Sequence, residues 1–132
     1  MNKKNEAVWG TRIKAKTSNL FQNVGSSIDV DKRLYNEDIQ ASIVHTRMLA
    51  KQKIISLKIS KKIINGLKKI HNEIKNKKFK FKKKYEDIHL NIEKRLFEII
   101  GNDAGFMHIA RSRNDQVITD FKLWTLKSTK NI

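Results

Sequence analysis

Apolar residues recur every three or four positions over three stretches of the chain, and this spacing predicts three amphipathic helices. The first is expected from about Asp31 to Lys51, the second from Ser56 to Lys75 and the third from Tyr85 to Ile100. Lys78–Phe81 alternates with period two, which predicts a short extended connector or a strand. The residues predicted to form the buried stripes are Leu34, Tyr35, Ile39, Ile43, Met48 and Leu49, then Ile59, Ile63, Leu67, Ile70 and Ile74, then Ile88, Ile92, Leu96 and Ile99.

A fourth helix is predicted to begin inside the polar stretch His108–Gln116. Either Ser112 or Asn114 can cap it, because a short side-chain oxygen can accept from the free amides of the first turn. These amides and the guanidinium groups of Arg111 and Arg113 also suit an anionic ligand. A capped helix with two solvated arginines accounts for the same residues without a ligand. The apolar stripe that follows at helical spacing is Val117, Phe121 and Trp124.

The formal net charge of +16 suggests a nucleic acid or another anionic partner. However, the fourteen lysines of Lys51–Lys84 occupy polar positions between the buried isoleucines, with few aromatic residues among them. We interpret them as a solvated face and expect no specific nucleic-acid binding. The chain has no cysteine and no apolar run of membrane-spanning length. Met1–Glu6 lacks the apolar stretch of a secretory signal, so we expect a cytoplasmic protein without membrane contact.

The order of the residues in the polar stretch resembles the first signature region of the argininosuccinate lyase family, in the aspartase/fumarase superfamily. Arg111–Gln116 reads Arg-Ser-Arg-Asn-Asp-Gln, and Ile109 stands where the family usually has threonine. Other parts of the chain match the family in the same order: Trp9-Gly10, Ser27-Ile28, Asp31–Tyr35 and Glu86–Leu96. The resemblance therefore extends over nearly the whole chain.

The resemblance implies an all-α fold: the N-terminal helical domain of the fumarase/aspartase-like fold, followed by the start of the first long helix of a central bundle. We expect an N-terminal arm over residues 1–26, the helical domain over 27–110 and the start of the bundle helix over 111–132. Residues 114–130 are expected to form a helix that projects from a compact body of residues 30–110. Trp124 should be largely exposed, and its apolar stripe should favour self-association.

The resemblance also implies a substrate site. Ser27 and Asn114 match substrate contacts of the family, although each could instead be only a helix cap. His89 lies one position beyond the predicted apolar stripe, so it is free to face a cleft, although it could instead be an ordinary surface histidine. No metal and no organic cofactor are implied. The residues expected behind the substrate contacts are Asp87, His89, Arg111, Ser112 and Arg113.

The family reaction is the elimination of arginine from argininosuccinate to give fumarate. Family members are homotetramers whose active sites combine three signature regions from three subunits. The regions with the catalytic histidine and with the catalytic serine loop have no match in these 132 residues. We therefore expect no catalytic residue here and no activity from the chain alone. Two alternatives stay open: a small basic helical protein that binds nucleic acid non-specifically, and a non-catalytic interaction module.

Overall fold

The structure, a computed structural model, describes residues 24–130. Within that range the regular elements are helical and no strand occurs, which confirms the predicted all-α class. Trp9 and all but the last three residues of the predicted N-terminal arm lie outside the described residues. The α-helices are α1 (Ile28–Asp31), α2 (Tyr35–Lys51), α3 (Leu57–Lys75), α4 (Ile88–Ile100) and α5 (Arg113–Thr129), and short 3-10 segments span Lys32–Leu34, Lys83–Tyr85 and Gly101–His108.

The apolar core forms where α3 packs between α2 and α4, with the 3-10 segment Gly101–His108 covering one side. The predicted stripes of α3 and α4 supply most of it, and burying each large aliphatic side chain is worth about 1.5–3 kcal/mol. Side chains with no measurable exposure are Ile63, Leu67, Ile70, Ile88, Ile92 and Leu96.

A glycine lets α3 and α4 approach each other closely. A Cβ added at Gly66 would lie 2.5 Å from Cδ1 of Leu96. Because Leu96 is fully buried, any larger residue at position 66 would have to displace packed atoms. This close approach explains why position 66 is a glycine, although a glycine weakens a helix interior by roughly 1 kcal/mol relative to alanine.

The boundaries of α4 are set by local backbone geometry. Glu86 has a positive φ of 61° and Asp87 is extended, so α4 begins at Ile88 rather than at the predicted Tyr85. The carboxylate of Asp87 accepts from the amide of Leu90 at 2.7 Å, and Gly101, with φ 70°, follows the last turn. The segment Lys78–Phe81 has no regular secondary structure, so of the two predicted forms it is the connector.

The lysines of α3 lie on its exposed side. Lys58, Lys61, Lys68 and Lys69 are exposed along the side of α3 that faces away from the core. Among the described residues, no helix is long and apolar enough to cross a membrane.

The inward face of α2 differs from the prediction. Met48 was expected in the core but is 40% exposed, while Asp38, Ser42 and Thr46 are fully buried on the opposite side. These three polar residues follow each other at intervals of four and face α4 and α5. An apolar-stripe rule assigns such positions to solvent, so the prediction missed these three and wrongly included Met48, whereas Ile39 and Leu49 are buried as predicted.

The orientation of α5 also differs from the prediction. Instead of projecting from the body, α5 lies along α2, and its buried residues are the polar Gln116 and Asp120. The stripe of Val117, Phe121 and Trp124 faces outward, as predicted. Trp124 is 39% exposed and stacks against Phe121, so it is less open than expected.

Candidate functional site

The loop before α1 is held against the loop before α4 through a single carbonyl group. The amides of Ser27 and Ile28 both donate to the carbonyl oxygen of Glu86 at 2.9 Å, and Oγ of Ser26 donates to it at 3.1 Å. The positive φ of Glu86, unusual for a residue with a side chain, turns this carbonyl toward the donors. Two segments about sixty residues apart in sequence are thereby joined at one point.

Ser27 is exposed and stands at the N-cap position of α1, but its side chain makes no capping hydrogen bond. Its hydroxyl instead donates to Oδ2 of Asp31 at 2.6 Å, and Oδ1 of Asp31 accepts from the amide of Ile88 at 3.2 Å. Burial, with the nearby charge of Asp87, raises the pKa of Asp31 despite these bonds. Ser27 therefore belongs to the link between α1 and α4.

The start of α5 is a complete capping box. The amide of Asp115 donates to Oγ of Ser112 at 3.2 Å, and the amide of Ser112 donates to Oδ2 of Asp115 at 3.0 Å. The backbone bond from Ser112 lowers the pKa of Asp115. Of the two predicted cap candidates, Ser112 is the cap. Asn114 is exposed on the first turn of α5.

Arg113 connects the start of α5 to α4. Its Nη1 donates to Oε1 of Gln116 at 2.8 Å, and its Nη2 donates to Oε2 of Glu93 at 3.2 Å. Its Nε lies 3.6 Å from Oδ2 of Asp87. The solvated-arginine interpretation is therefore wrong for Arg113, which is tied to two acidic side chains.

Behind these contacts lies a buried group of ionisable and amide side chains, which we call the polar cluster: Asp38, His89, Arg111, Gln116 and Asp120. Nδ1 of His89 lies 3.2 Å from Oδ1 of Asp38 and 3.4 Å from Oδ2 of Asp120, although its N–H aligns with neither. Nε2 of Gln116 donates to the same Oδ1 of Asp38 at 2.5 Å. The cluster joins α2, α4 and α5.

Arg111 brings a second positive charge to the cluster. It donates through Nη1 to Oγ of Ser42 at 3.1 Å and interacts electrostatically with Asp38 and Asp120. Burial lowers the pKa of Arg111, but a guanidinium retains its proton under all ordinary conditions. The two carboxylates of the cluster therefore face two cationic groups.

The charges of the cluster depend on one another. Burial raises the pKa of Asp120 to about 7, and the charge of Asp38 adds to this effect. Burial opposes ionisation of Asp38 and His89 as well, but their mutual attraction outweighs it. The pKa of Asp38 therefore lies below its ordinary value and that of His89 above it. The cluster therefore favours an ionised Asp38 beside a protonated His89, while the pKa of Asp120 lies close to neutral pH.

Donor atoms of Asp38, His89 and Asp120 all lie within 4.8 Å of one another, a spacing that a small divalent cation could bridge. However, the guanidinium of Arg111 acts on both carboxylates, and a protonated His89 cannot be a ligand. The donor set with its neighbours fits an internal ion-pair network better than a metal centre.

The structure brings four of the sequence-predicted residues to one region, around the start of α4: Ser27, Asp87, His89 and Arg113. The prediction that His89 faces a cleft is wrong. It is 2% exposed, because α2 and α5 both pack over the first turn of α4. Asn114 and Ser112 lie on the adjoining start of α5, and no hydrogen bond among residues 24–130 links Asn114 to Ser27.

Sequence reasoning assigned no role to Asp38 or Asp120 and treated Gln116 only as part of the motif. A signal was present in the spacing. Asp38, Ser42 and Thr46 recur every four residues on α2, and Gln116 and Asp120 are four apart on α5. Two polar stripes at helical spacing are what a polar helix interface requires.

Comparison with known proteins finds a matching family model and similar curated proteins. A family model described as "Lyase" matches residues 11–132. The argininosuccinate lyase of Pelagibacter ubique is 65% identical over 131 residues, which cover 99% of this chain and 28% of that protein. The argininosuccinate lyase of Bartonella bacilliformis is 46% identical over 131 residues, again 99% of this chain and 28% of the relative. That of Ehrlichia chaffeensis is 51% identical over 121 residues, 92% of this chain and 26% of the relative.

The chain thus spans just over a quarter of the length of the curated relatives that it matches. The family match covers the elements described above, from the loop before α1 to the end of α5. The chain belongs to the lyase family.

Proposed function

We propose that this chain supplies the N-terminal, substrate-binding portion of an argininosuccinate lyase, which cleaves argininosuccinate to arginine and fumarate in arginine biosynthesis. The observation that carries the proposal is the joining of the three matching segments. Ser27 is fixed to Glu86, and Arg113 is paired with Asp87 and Glu93. High identity to three argininosuccinate lyases supports the choice of substrate.

The chemistry of the reaction suits these residues. In a β-elimination a proton leaves the carbon next to a carboxylate, negative charge builds on that carboxylate, and the C–N bond breaks. Donors aimed at the developing charge lower the barrier. We assign this contact to the side-chain amide of Asn114 and to the hydroxyl of Ser27, which turns from Asp31 to the substrate when the substrate binds. Asp87, His89, Arg111, Ser112 and Arg113 hold these two in place from behind.

The remaining parts of the proposal follow from the family resemblance. The active protein is a cytoplasmic homotetramer, and its site is completed by residues from other subunits and other signature regions. The reaction as proposed needs no metal and no organic cofactor. The proton transfers are assigned to groups outside these 132 residues, so this chain by itself is expected to release no fumarate.

The proposal is tested in a hybrid lyase, in which this chain replaces the matching 131 residues of the Pelagibacter ubique argininosuccinate lyase. Fumarate release from argininosuccinate is followed by absorbance. The hybrid lyase should turn over, and the isolated chain should not. Asn114→Ala and Ser27→Ala should each lower turnover about 10-fold or more, as expected when a donor to a developing charge is lost.

Asn102→Ala is the matched control, because Asn102 is also an exposed asparagine but lies away from the start of α5. Its turnover should equal that of the unsubstituted hybrid. Full activity of Asn114→Ala would reduce Asn114 to a surface residue. An inactive but folded hybrid lyase would contradict the proposed substrate.

A further inference from the structure

The polar cluster lies directly behind the elements that carry the proposed substrate contacts, and it is connected to them by an unbroken series of contacts. Asp38 accepts from Gln116, and Gln116 accepts from Arg113. Arg113 is the residue immediately before Asn114 and pairs with Asp87 and Glu93 of α4. A substitution of Asp38 on α2 can therefore alter the position of side chains in the first turn of α5.

A second connection runs through His89. This residue is in the first turn of α4, two positions after Asp87, and Asp38 and Asp120 both approach its Nδ1. Asp120 is one turn beyond Gln116 on α5, and both are buried. The two residues fix the rotation of α5 about its axis, because turning the helix would take a buried carboxylate or amide away from its partners.

We propose that Asp38 and Asp120 are positioning residues for the argininosuccinate site: by meeting at Nδ1 of His89 from α2 and α5, they set where Asn114 stands relative to Ser27. This inference rests on the proposed function and deepens it. Neither carboxylate touches the substrate. Both are fully buried and act through His89 and Gln116.

The charged groups that face His89 determine how the polar cluster responds to pH. Asp38 faces it from α2, Asp87 from the N-cap of its own helix and Asp120 from α5, and Asp31 of α1 also interacts with its charge. Arg111 acts on Asp38 and Asp120 from the loop before α5. The surrounding carboxylates favour the imidazolium, so the cluster keeps this charged form until the pH passes the raised pKa of His89. Removing either Asp38 or Asp120 should make His89 lose its proton at lower pH.

The test uses the hybrid lyase defined above, with Asp38→Asn and Asp120→Asn, which remove a charge and keep the shape. Each should lower kcat/KM by roughly 10- to 100-fold, the effect of misplacing a binding group by about 1 Å. Each should also move the alkaline limb of the pH profile of kcat/KM toward lower pH. Asp103→Asn is the matched control, since Asp103 forms a surface ion pair with the exposed Lys62, and it should leave both quantities unchanged.

Gln116→Met separates geometry from charge, because it removes the contact to Asp38 without removing a charge. It should lower kcat/KM and leave the alkaline limb in place, and it gives a second reading if an Asp→Asn variant does not fold. If both Asp→Asn variants have a lower kcat/KM but an unchanged alkaline limb of the pH profile, the two carboxylates have only a structural role, and the inference is contradicted. Unchanged kcat/KM would overturn the inference outright. An unsubstituted hybrid without activity would overturn the proposed function and this inference together.

Discussion

The interface of α3 with α4 and the interface of α2 with α5 are built on opposite principles. Between α3 and α4, aliphatic side chains such as Leu67 and Leu96 interlock around a glycine, and the contact depends on shape. Between α2 and α5, Asp38, Gln116 and Asp120 are buried, and the contact depends on charge and hydrogen bonds. Aliphatic packing is insensitive to pH, whereas a buried ion network responds to it.

The two interfaces also differ in whether they stabilise the domain or fix the position of α5. Replacing a buried ion network by well-packed apolar residues is often neutral or stabilising, so the polar cluster is weak evidence for a contribution to stability. It does specify one rotation of α5 and one place for Arg113 and Asn114. The apolar interface holds the domain together, and the polar interface places the candidate site.

The largest expected effect is the loss of apolar packing. Leu67→Ala should lower the free energy of unfolding by about 2–5 kcal/mol, because Leu67 is fully buried between α2 and α4. Urea unfolding followed by circular dichroism should give the same loss at pH 6 and at pH 8. Leu57→Ala, at a position that is 69% exposed on the same helix, is the control and should cost far less. A loss that depended on pH would remove the distinction between the two interfaces.

The second effect concerns the pH dependence of the unsubstituted chain. The pKa values of His89 and Asp120 are raised on folding. At pH values between the unfolded-state pKa and the folded-state pKa of each group, the folded chain therefore binds more protons than the unfolded chain. For His89, the stabilisation is complete below about 6.5 and is lost as the pH rises through its folded pKa. Asp120 contributes in the same direction from its unfolded value up to about 7.

His89 should therefore make the unfolding free energy fall as the pH rises from about 6.5 to 8, by about 1.4 kcal/mol for each unit by which folding raises its pKa, and Asp120 adds to this fall only up to about pH 7. Urea unfolding across this range measures the slope. The surface pair of Lys62 and Asp103 provides the control, since Asp103→Asn should leave the slope unchanged. A flat or rising stability curve would contradict the charge assignment of the cluster.

The sequence predicted the apolar interface but not the polar one, and the physical reason is clear in particular residues. Ile63, Leu67 and Ile70 reveal their helix face by spacing alone, since burial of an aliphatic side chain needs no specific partner. Asp38 is buried only because His89 and Gln116, which lie 51 and 78 positions further along the chain, come to meet it. Local periodicity holds no information about such partners, so His89 was assigned to a cleft and Asp38 to no role.

The family resemblance filled part of this gap. It identified Ser27, Asp87, His89 and Arg113, which the structure brings to one region. It could not show that Arg113 is paired with three side chains or that Ser112, rather than Asn114, caps α5. Those distinctions depend on the direction of individual side chains.

A third effect tests the close approach of α3 to α4. Gly66→Ala removes a helix-weakening glycine, worth roughly 1 kcal/mol, but forces the added Cβ into Leu96. Overpacking typically costs about 1–3 kcal/mol, so we expect a small net destabilisation in urea unfolding. Adding Leu96→Val, which shortens the side chain that the Cβ meets, should recover part of the loss. If the Gly66→Ala chain is more stable than the unsubstituted chain, the side chain of Leu96 moves aside at little cost in free energy.

The smallest effect compares two helix caps. Ser56→Ala and Ser112→Ala each remove an N-cap hydroxyl, one at α3 and one at α5, and each should cost about 0.5–2 kcal/mol. In the hybrid lyase only Ser112→Ala should also lower turnover, because only α5 carries Asn114. Equal turnover of the two variants would argue against a special role for the start of α5.

The most direct measurement is the titration of the His89 imidazole, followed by NMR on the 132-residue chain labelled at histidine. His89→Gln assigns the resonance. The structure predicts that His89 titrates above its ordinary value of about 6.5 and that Asp38→Asn brings the pKa down. A His89 that stays neutral down to pH 5, or whose titration ignores Asp38, would contradict a charged cluster between α2, α4 and α5.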